Sequence, residues 1–95
     1  MKPKIHAKSS VKKFGGRIKD YKKIHQFMDS SKAHFADVRH RAILHSTFGC
    51  FIVEMIFVNT IINSDGGEVY VRDIAEQHII EDLGFIPCVS DYLNN

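Results

Sequence analysis

Residues 31–58 read SKAHFADVRHRAILHSTFGCFIVEMIFV, and this stretch decides the fold. It predicts one long helix from about Ser31 to Val58, roughly 42 Å in length at about 1.5 Å per residue. The half from Phe48 to Val58 is apolar on nearly every side, and such a helix must be covered on every side. A chain of 95 residues has little else to cover it, so we expect part of this surface to be the interface of a homo-oligomer. The alternative is a bent or shorter helix that the chain's own strands and tail wrap.

The first half of this predicted helix places polar groups on the line of its apolar stripe. At about 100° per residue, Arg41 and His45 project within about 20° of His34. Asp37 then lies about 60° away and His40 about 120° away on the same projection. Such a cluster indicates the wall of a pocket or a buried polar network.

An anion suits this predicted geometry better than a metal ion does. His34 and His45 lie roughly 16.5 Å apart along the helix axis, which is too far for both to bind one ion. Arg41 lies between them and can hold a phosphate through two parallel hydrogen bonds. We therefore expect a small phosphorylated ligand and no metal cofactor. The predicted ligand-binding residues are His34, Arg41 and His45, then Arg39, His40, Arg72 and His78, with Lys12 and Lys13 closing over the pocket.

The alternative cofactor is a divalent metal, in a phosphoesterase or related hydrolase. His34 and Asp37 have i,i+3 spacing, and a stable site needs further ligands from another element. The i,i+4 pair His78 and Asp82 could supply them, or the carboxylate could orient His78 as a general base. The plainer interpretation pairs Arg41 with Asp37 and makes the histidines satisfied core residues. The predicted metal ligands are thus His34, Asp37, His78 and Asp82, with Glu81 as a further choice.

The N-terminal third of the chain is strongly basic. Residues 1–32 hold ten Lys and Arg against two acids (+8), and residues 33–95 hold three Arg against nine acids (−6), which sum to the formal +2. Paired serines, lysines and glycines interrupt any helical period in residues 1–18, so we expect an arm or loop there. The arm can grip phosphate, dock on its own body or on a neighbouring subunit, or remain solvated. It shows no known docking motif, and the sequence does not favour nucleic acid as a partner.

The remaining elements follow from capping and turn signals. Asp-Gly between two β-forming runs is a strong hairpin signal, and a glycine after an apolar-periodic run ends a helix. The predicted elements are a helix from Asp20 to about Asp29, a hairpin at about 60–71, a helix from Asp73 to Leu83, and a last helical turn from Cys88 to Leu93. The predicted fold is mainly α with a small β-hairpin. Residues 1–95 would form a single domain, with residues 19–95 as the helical body around one long central helix.

Composition also bears on the compartment. The longest apolar run, Phe48 to Val58, is interrupted by Glu54 and is too short to span a bilayer. The basic N-terminus lacks the apolar segment of a secretory signal. Cys50 and Cys88 show neither metal-ligand nor disulfide spacing. We expect a cytoplasmic protein with reduced thiols and no membrane partner.

Several short motifs together carry a resemblance to a known family. They are Lys12-Lys13-Phe-Gly-Gly16, Ser31-Lys-Ala-His34, Arg39-His-Arg-Ala42, Asn63-Ser-Asp-Gly66, Glu76-Gln-His78 and Glu81-Asp-Leu-Gly84. With them the chain resembles a family of small proteins encoded by tailed phages and prophages. Members often carry a second histidine after the position of His45, where this chain has Ser46, and this departure weakens a metal site there.

The resemblance implies a phage accessory protein in the cytoplasm of an infected or lysogenic bacterium. By analogy of setting, such a protein would counter host defence by sequestering a nucleotide signal, for example a cyclic nucleotide, as a sponge. A third hypothesis is a protein-binding inhibitor of a host enzyme, with the apolar residues 48–58 as the partner surface.

Overall fold

The structure, a computed structural model, describes residues 1–33 and 41–93. Its elements in chain order are α1 (Pro3–Phe14), α2 (Ile18–Met28), a 3₁₀ turn (Ser30–Ala33), α3 (Arg41–Leu44), α4 (Thr47–Phe57), β1 (Thr60–Ile62), β2 (Glu68–Tyr70), α5 (Val71–Leu83) and α6 (Val89–Leu93). The predicted fold class, mainly α with a small β-hairpin, is confirmed.

The prediction of an N-terminal arm or loop is wrong, because residues 3–14 form α1. Pro3 stands in the first turn, where its missing N–H costs nothing. Gly15, at φ 85°, ends the helix and donates its N–H to the Val11 carbonyl at 2.8 Å. The paired serines do not break the helix, and the Ser10 Oγ lies 3.1 Å from the His6 carbonyl oxygen, one turn earlier.

The predicted long central helix is not continuous. α3 ends at Leu44, and α4 starts at Thr47 after an extended Ser46. The Ser46 hydroxyl accepts a hydrogen bond from the Gly49 N–H at 3.1 Å, which caps α4. A Cβ at Gly49 would lie 2.2 Å from the Leu44 carbonyl oxygen, so glycine permits this tight junction. The break places His45 in the interior, where its side chain has no exposed surface.

The hairpin and the last two helices lie where the sequence predicts them. β1 pairs antiparallel with β2. In the turn, the Asn63 Oδ1 accepts from the N–H groups of Asp65 and Gly67 at 3.0 and 2.9 Å. α5 begins at Val71, two residues before the predicted start, and ends at Gly84 in the left-handed region with φ 84°. It therefore runs directly from β2 into the core.

α5 is the centre of the packing and contacts α1, α2 and α4. Its buried apolar side chains join those of α1, α2, α4 and the hairpin in one core, formed by Ala7, Tyr21, Ile24, Met28, Cys50, Val53, Val69, Val71, Ile74, Ala75 and Ile79. α4 is covered on one side only, and Phe48, Phe51 and Met55 are half-exposed or more. The homo-oligomer interface on this helix stays a prediction. Within the two described ranges, we find no helix with the length and apolar character that crossing a bilayer requires.

Candidate metal centre

Four of the six histidines of this chain meet inside the fold. His6 comes from α1, His25 from α2, His45 from the junction of α3 and α4, and His78 from α5; none has exposed surface. His78 lies in the middle, with ring centroids 3.8 Å from His6, 5.1 Å from His25 and 4.8 Å from His45. Burying so many polar rings is costly unless each has partners, and carboxylates supply several of them.

Two carboxylates converge on the same side of His78. The His78 Nε2 lies 3.2 Å from Asp29 Oδ1 and 3.3 Å from Asp82 Oδ2. The His45 Nε2 lies 2.9 Å from the same Asp82 oxygen and 3.6 Å from the same Asp29 oxygen. Four possible ligand atoms, one from each residue, thus lie within 4.8 Å of one another. Ligand atoms at about 2.1 Å from one tetrahedral ion lie roughly 3.4 Å apart, so the spacing matches a single ion.

Local structure explains why these four side chains meet. His78 and Asp82 are i,i+4 neighbours and therefore share one face of α5. Asp29 is the residue that ends α2, and its backbone N–H bonds to the Phe27 carbonyl. His45 reaches the same point because the chain breaks between α3 and α4.

A second group of contacts surrounds His6. Its Nδ1 lies 2.7 Å from Glu81 Oε1, and its Nε2 lies 3.1 Å from Asp82 Oδ1. The Met1 amino group donates to the same Asp82 oxygen at 3.0 Å, and the Ser9 hydroxyl donates to Glu81. Because carboxylates only accept, an imidazolium form of His6 satisfies both of its nitrogens. Asp82 therefore uses one oxygen on this side and the other towards His45 and His78.

A buried hydrogen-bond chain, which we call the relay, runs from Gln77 through Ser10 to His25. The Gln77 Nε2 donates to the His6 carbonyl at 3.0 Å and to Glu81 Oε1 at 2.9 Å, which turns the amide oxygen towards Ser10. The Ser10 hydroxyl donates to this oxygen at 2.6 Å. Its own oxygen then accepts from the His25 Nε2 at 2.7 Å. Each bond has one possible direction, because two acceptors fix the amide orientation.

The relay fixes the proton on one nitrogen of His78. Burial, together with the charges of His78 and His6, lowers the pKa of His25 to about 3. A neutral His25 that donates from Nε2 must accept at Nδ1, which faces the His78 Nδ1 at 2.9 Å. His78 therefore donates from Nδ1. If His78 is neutral, its Nε2 lone pair points at two carboxylate oxygens.

The two carboxylates that face the His78 Nε2 are charged. Burial opposes ionisation of Asp82, but hydrogen bonds from the Met1 ammonium and His45 and the charges of His6 and His78 lower its pKa to about 2. Burial also opposes ionisation of Asp29, and the hydrogen bond and charge of His78 still lower the pKa of Asp29. Between these anions and the His78 Nε2, either a metal ion or a proton on that nitrogen must lie.

His45 is suited to the metal form of the site. Burial, followed by the charge of His78, lowers the pKa of His45 to about 4, against the effect of Asp82 and Asp29. His45 is therefore neutral at neutral pH, and a neutral imidazole is the form that binds a metal.

The structure brings together only part of the predicted site. His45, His78 and Asp82 meet, and Glu81 lies beside them. The predicted residues His34, Asp37, Arg39 and His40 lie outside the described residues.

The predicted cations belong to other elements or surfaces, and Arg41 is partly buried. Arg41 belongs to α3, and Lys12 and Lys13 are exposed at the end of α1. Arg72 bonds Glu54 at 2.7 Å and lines a separate cleft of about 210 Å³, together with Thr47, Cys50, Glu76 and Ile86.

Sequence reasoning missed His6, His25 and Asp29. The missed signal is spacing: His25 and Asp29 stand at i,i+4, as do His78 and Asp82. Two such pairs on packed helices place two imidazoles and two carboxylates together. The same spacing argument could not identify His6, because His6 lies in the segment predicted as an arm and not as a helix.

Similarity to a known family extends over the whole chain, but the description of that family names no activity. The sequence profile of a family described as "Domain of unknown function (DUF6915)" matches residues 1–95. No curated protein matches the chain. No solved structure matches it either.

Proposed function

Since the chain belongs to the DUF6915 family, whose description names no activity, we propose a function from the site itself: the protein binds a divalent transition metal through Asp29, His45, His78 and Asp82. The observation that carries this proposal is the convergence of four ligand atoms within 4.8 Å of one another. Two imidazole nitrogens and two carboxylate oxygens form a donor set that suits Zn²⁺, and also Mn²⁺ or Fe²⁺.

The surroundings of the site supply what a bound metal would need. A divalent ion would neutralise both carboxylates and accept the lone pairs of His45 and His78. The relay would then act as an outer shell, because metal-bound histidines commonly donate their other N–H to a fixed partner. The His78 Nδ1 already has such a partner in His25, at 2.9 Å.

Equilibrium dialysis of chelator-treated protein against Zn²⁺, Mn²⁺ and Fe²⁺ tests the proposal. The expected result is saturable uptake of one ion per chain, which His45→Ala abolishes. The exposed Cys88 should first be changed to Ser, so that a surface thiolate does not contribute. Absence of saturable uptake for all three metals would overturn the proposal.

A second candidate function, metal-dependent hydrolysis of a phosphoester, draws on the exposure of two carboxylates. Asp29 is 18% exposed, so solvent reaches the site from its side, and the nearby Glu81 is 22% exposed. A bound metal would polarise a phosphoryl oxygen or lower the pKa of a water molecule there. The metal-loaded protein should then turn over a chromogenic phosphodiester, and Asp29→Asn should remove this activity. Absence of turnover would refute the hydrolase proposal, and the metal-binding proposal would still stand.

Sequestration of a nucleotide signal by a cytoplasmic phage protein stays a prediction. Of its predicted ligand-binding residues, His45 and His78 face Asp29 and Asp82, whose charges repel an anion. A bound divalent metal would supply the positive charge that a phosphate needs at this point. Thermal-shift screening against cyclic dinucleotides, with and without Zn²⁺, tests this role.

A further inference from the structure

The exposed surface of α1 and α2 is rich in lysine and arginine. All ten Lys and Arg side chains of residues 1–32 are exposed. The two acids of the same segment are partly exposed, and both have partners within the fold. Asp20 accepts from the N–H and the hydroxyl of Ser64, both at 2.8 Å, and Asp29 lies at the metal centre. From outside the segment, the exposed Asp65 carboxylate lies at the junction of the two helices, where it accepts from the Gly16 N–H at 2.8 Å.

The ten Lys and Arg side chains are not held by carboxylates of the described residues. Across residues 1–33 and 41–93, none of them forms an ion pair. The basic segment contacts acidic residues of the body through its Met1 amino group and His6, which bond Asp82 and Glu81, and not through these ten side chains. The charge of the ten side chains faces solvent and has no ion-pair partner in the described part of the chain.

Helix geometry arranges these charges in rows on a fixed support. Lys4, Lys8 and Lys12 stand at i,i+4 spacing along α1, roughly 6 Å apart per step. α1 and α2 pack against each other, and the Tyr21 hydroxyl donates to the Gly15 carbonyl at 2.7 Å between them. The segment is therefore a pair of packed helices, whereas the sequence predicted an arm.

We propose that this α1–α2 face docks on the phosphate backbone of duplex nucleic acid. A duplex presents about one negative charge per 1.7 Å of its axis, and rows of lysines match such a dense anion. The inference goes beyond the metal site and does not depend on it.

Other polyanionic partners fit the face less well. Lysine is depleted at protein–protein interfaces. A helix that lies on a membrane needs a broad apolar face, and in residues 1–33 only Met1 and Ile5 are exposed large apolar side chains. Single strands are held by exposed aromatic rings, whereas Tyr21 is buried and the phenylalanines of this segment are partly buried.

Fluorescence anisotropy of a labelled duplex, measured over a series of salt concentrations, tests the proposal. Each phosphate contact contributes a slope of about −0.9 in log K against log salt. The triple variant K4Q/K8Q/K12Q should flatten this slope by about 2.7 if all three lysines contact phosphate, and should weaken binding at least about tenfold at low salt. The second variant, K19Q/K22Q/K23Q, tests α2 in the same way. Circular dichroism should show both variants folded.

A matched control separates the face from net charge. E68Q/D73N removes two exposed acids outside the α1–α2 face and should leave affinity for the duplex within about twofold. The proposal is overturned if each acid removed raises duplex affinity by as much as each lysine removed lowers it. So would the absence of duplex binding at low salt, wild-type affinity in both lysine variants, or binding to anionic vesicles without binding to the duplex.

Discussion

Asp29→Asn isolates the metal centre with little change to the fold. The asparagine keeps the shape of the side chain but removes one negative charge, 3.2 Å from the His78 Nε2 and 3.6 Å from the His45 Nε2. Asp29 is partly exposed, and its carboxylate only accepts hydrogen bonds, which the Oδ1 of asparagine can also accept. We therefore expect the metal-free variant to lose only about 1 kcal/mol of unfolding free energy.

The effect on the metal-loaded protein should be much larger. At a metal concentration of about 100 Kd, wild-type protein gains about 2.7 kcal/mol. If the lost carboxylate weakens binding about 100-fold, the gain at the same concentration falls to about 0.4 kcal/mol. At about 4–8 °C per kcal/mol for a domain of this size, the metal-induced rise in Tm should shrink by roughly 9–18 °C.

Differential scanning calorimetry with and without Zn²⁺ measures both quantities. Asp20→Asn is the matched control, because Asp20 also belongs to α2 but bonds Ser64 and the Arg17 N–H, not a histidine. It should lower Tm in the metal-free protein and leave the metal-induced rise unchanged. The reasoning is refuted if Asp29→Asn keeps the full metal-induced rise, or if Asp20→Asn loses as much.

Four further predictions concern stability and assembly. Ser10→Ala breaks the relay and leaves buried polar atoms unpaired, so urea denaturation should show a loss of about 1–3 kcal/mol. The pKa values of His25 and His45, about 3 and about 4, lie below the ordinary 6.5. The unfolded chain therefore binds more protons between pH 6.5 and about 4, and metal-free protein should lose up to about 1.4 kcal/mol per pH unit for each histidine as pH falls; a flat profile would contradict this. Gly49→Ala places a Cβ 2.2 Å from a carbonyl oxygen and should cost at least about 3 kcal/mol, read from the urea midpoint. The predicted homo-oligomer should have a light-scattering mass above the 10.9 kDa of one chain, and Phe51→Glu should return it to one chain.

The sequence was sufficient for elements with strong local signals. Asp-Gly between β-formers located the hairpin, and Gly84 located the end of α5. It was insufficient where tertiary contacts outweigh local preference. The serines and lysines of residues 3–14 weaken the helical pattern, but Ser10 is stabilised in α1 by Gln77 and His25, which lie far along the chain.

The break between α3 and α4 shows a different limit. In the sequence, Ser46 is a possible N-cap, and Gly49 is a possible site of close backbone contact. The apolar residues around them favour a continuous helix, so neither signal predicts the break. Because the break was missed, His45 was projected on one helical face with Arg41. In the structure its partner is Asp82, which lies on α5.

Sequence reasoning could predict part of the metal centre. The His78 and Asp82 pair was recognised as a source of ligands, and the second pair, His25 and Asp29, has the same spacing. The directions of the relay bonds, which place a proton on the His78 Nδ1, follow only from side-chain positions in three dimensions.

Anomalous X-ray diffraction from crystals grown with Zn²⁺ or Mn²⁺ tests the central claim most directly. We predict one anomalous peak per chain, about 2.0–2.2 Å from the His45 Nε2, the His78 Nε2 and one oxygen each of Asp29 and Asp82. A map with no peak there, and with the His78 Nε2 within hydrogen-bond distance of both carboxylates, would show that a proton holds the site and would contradict the claim.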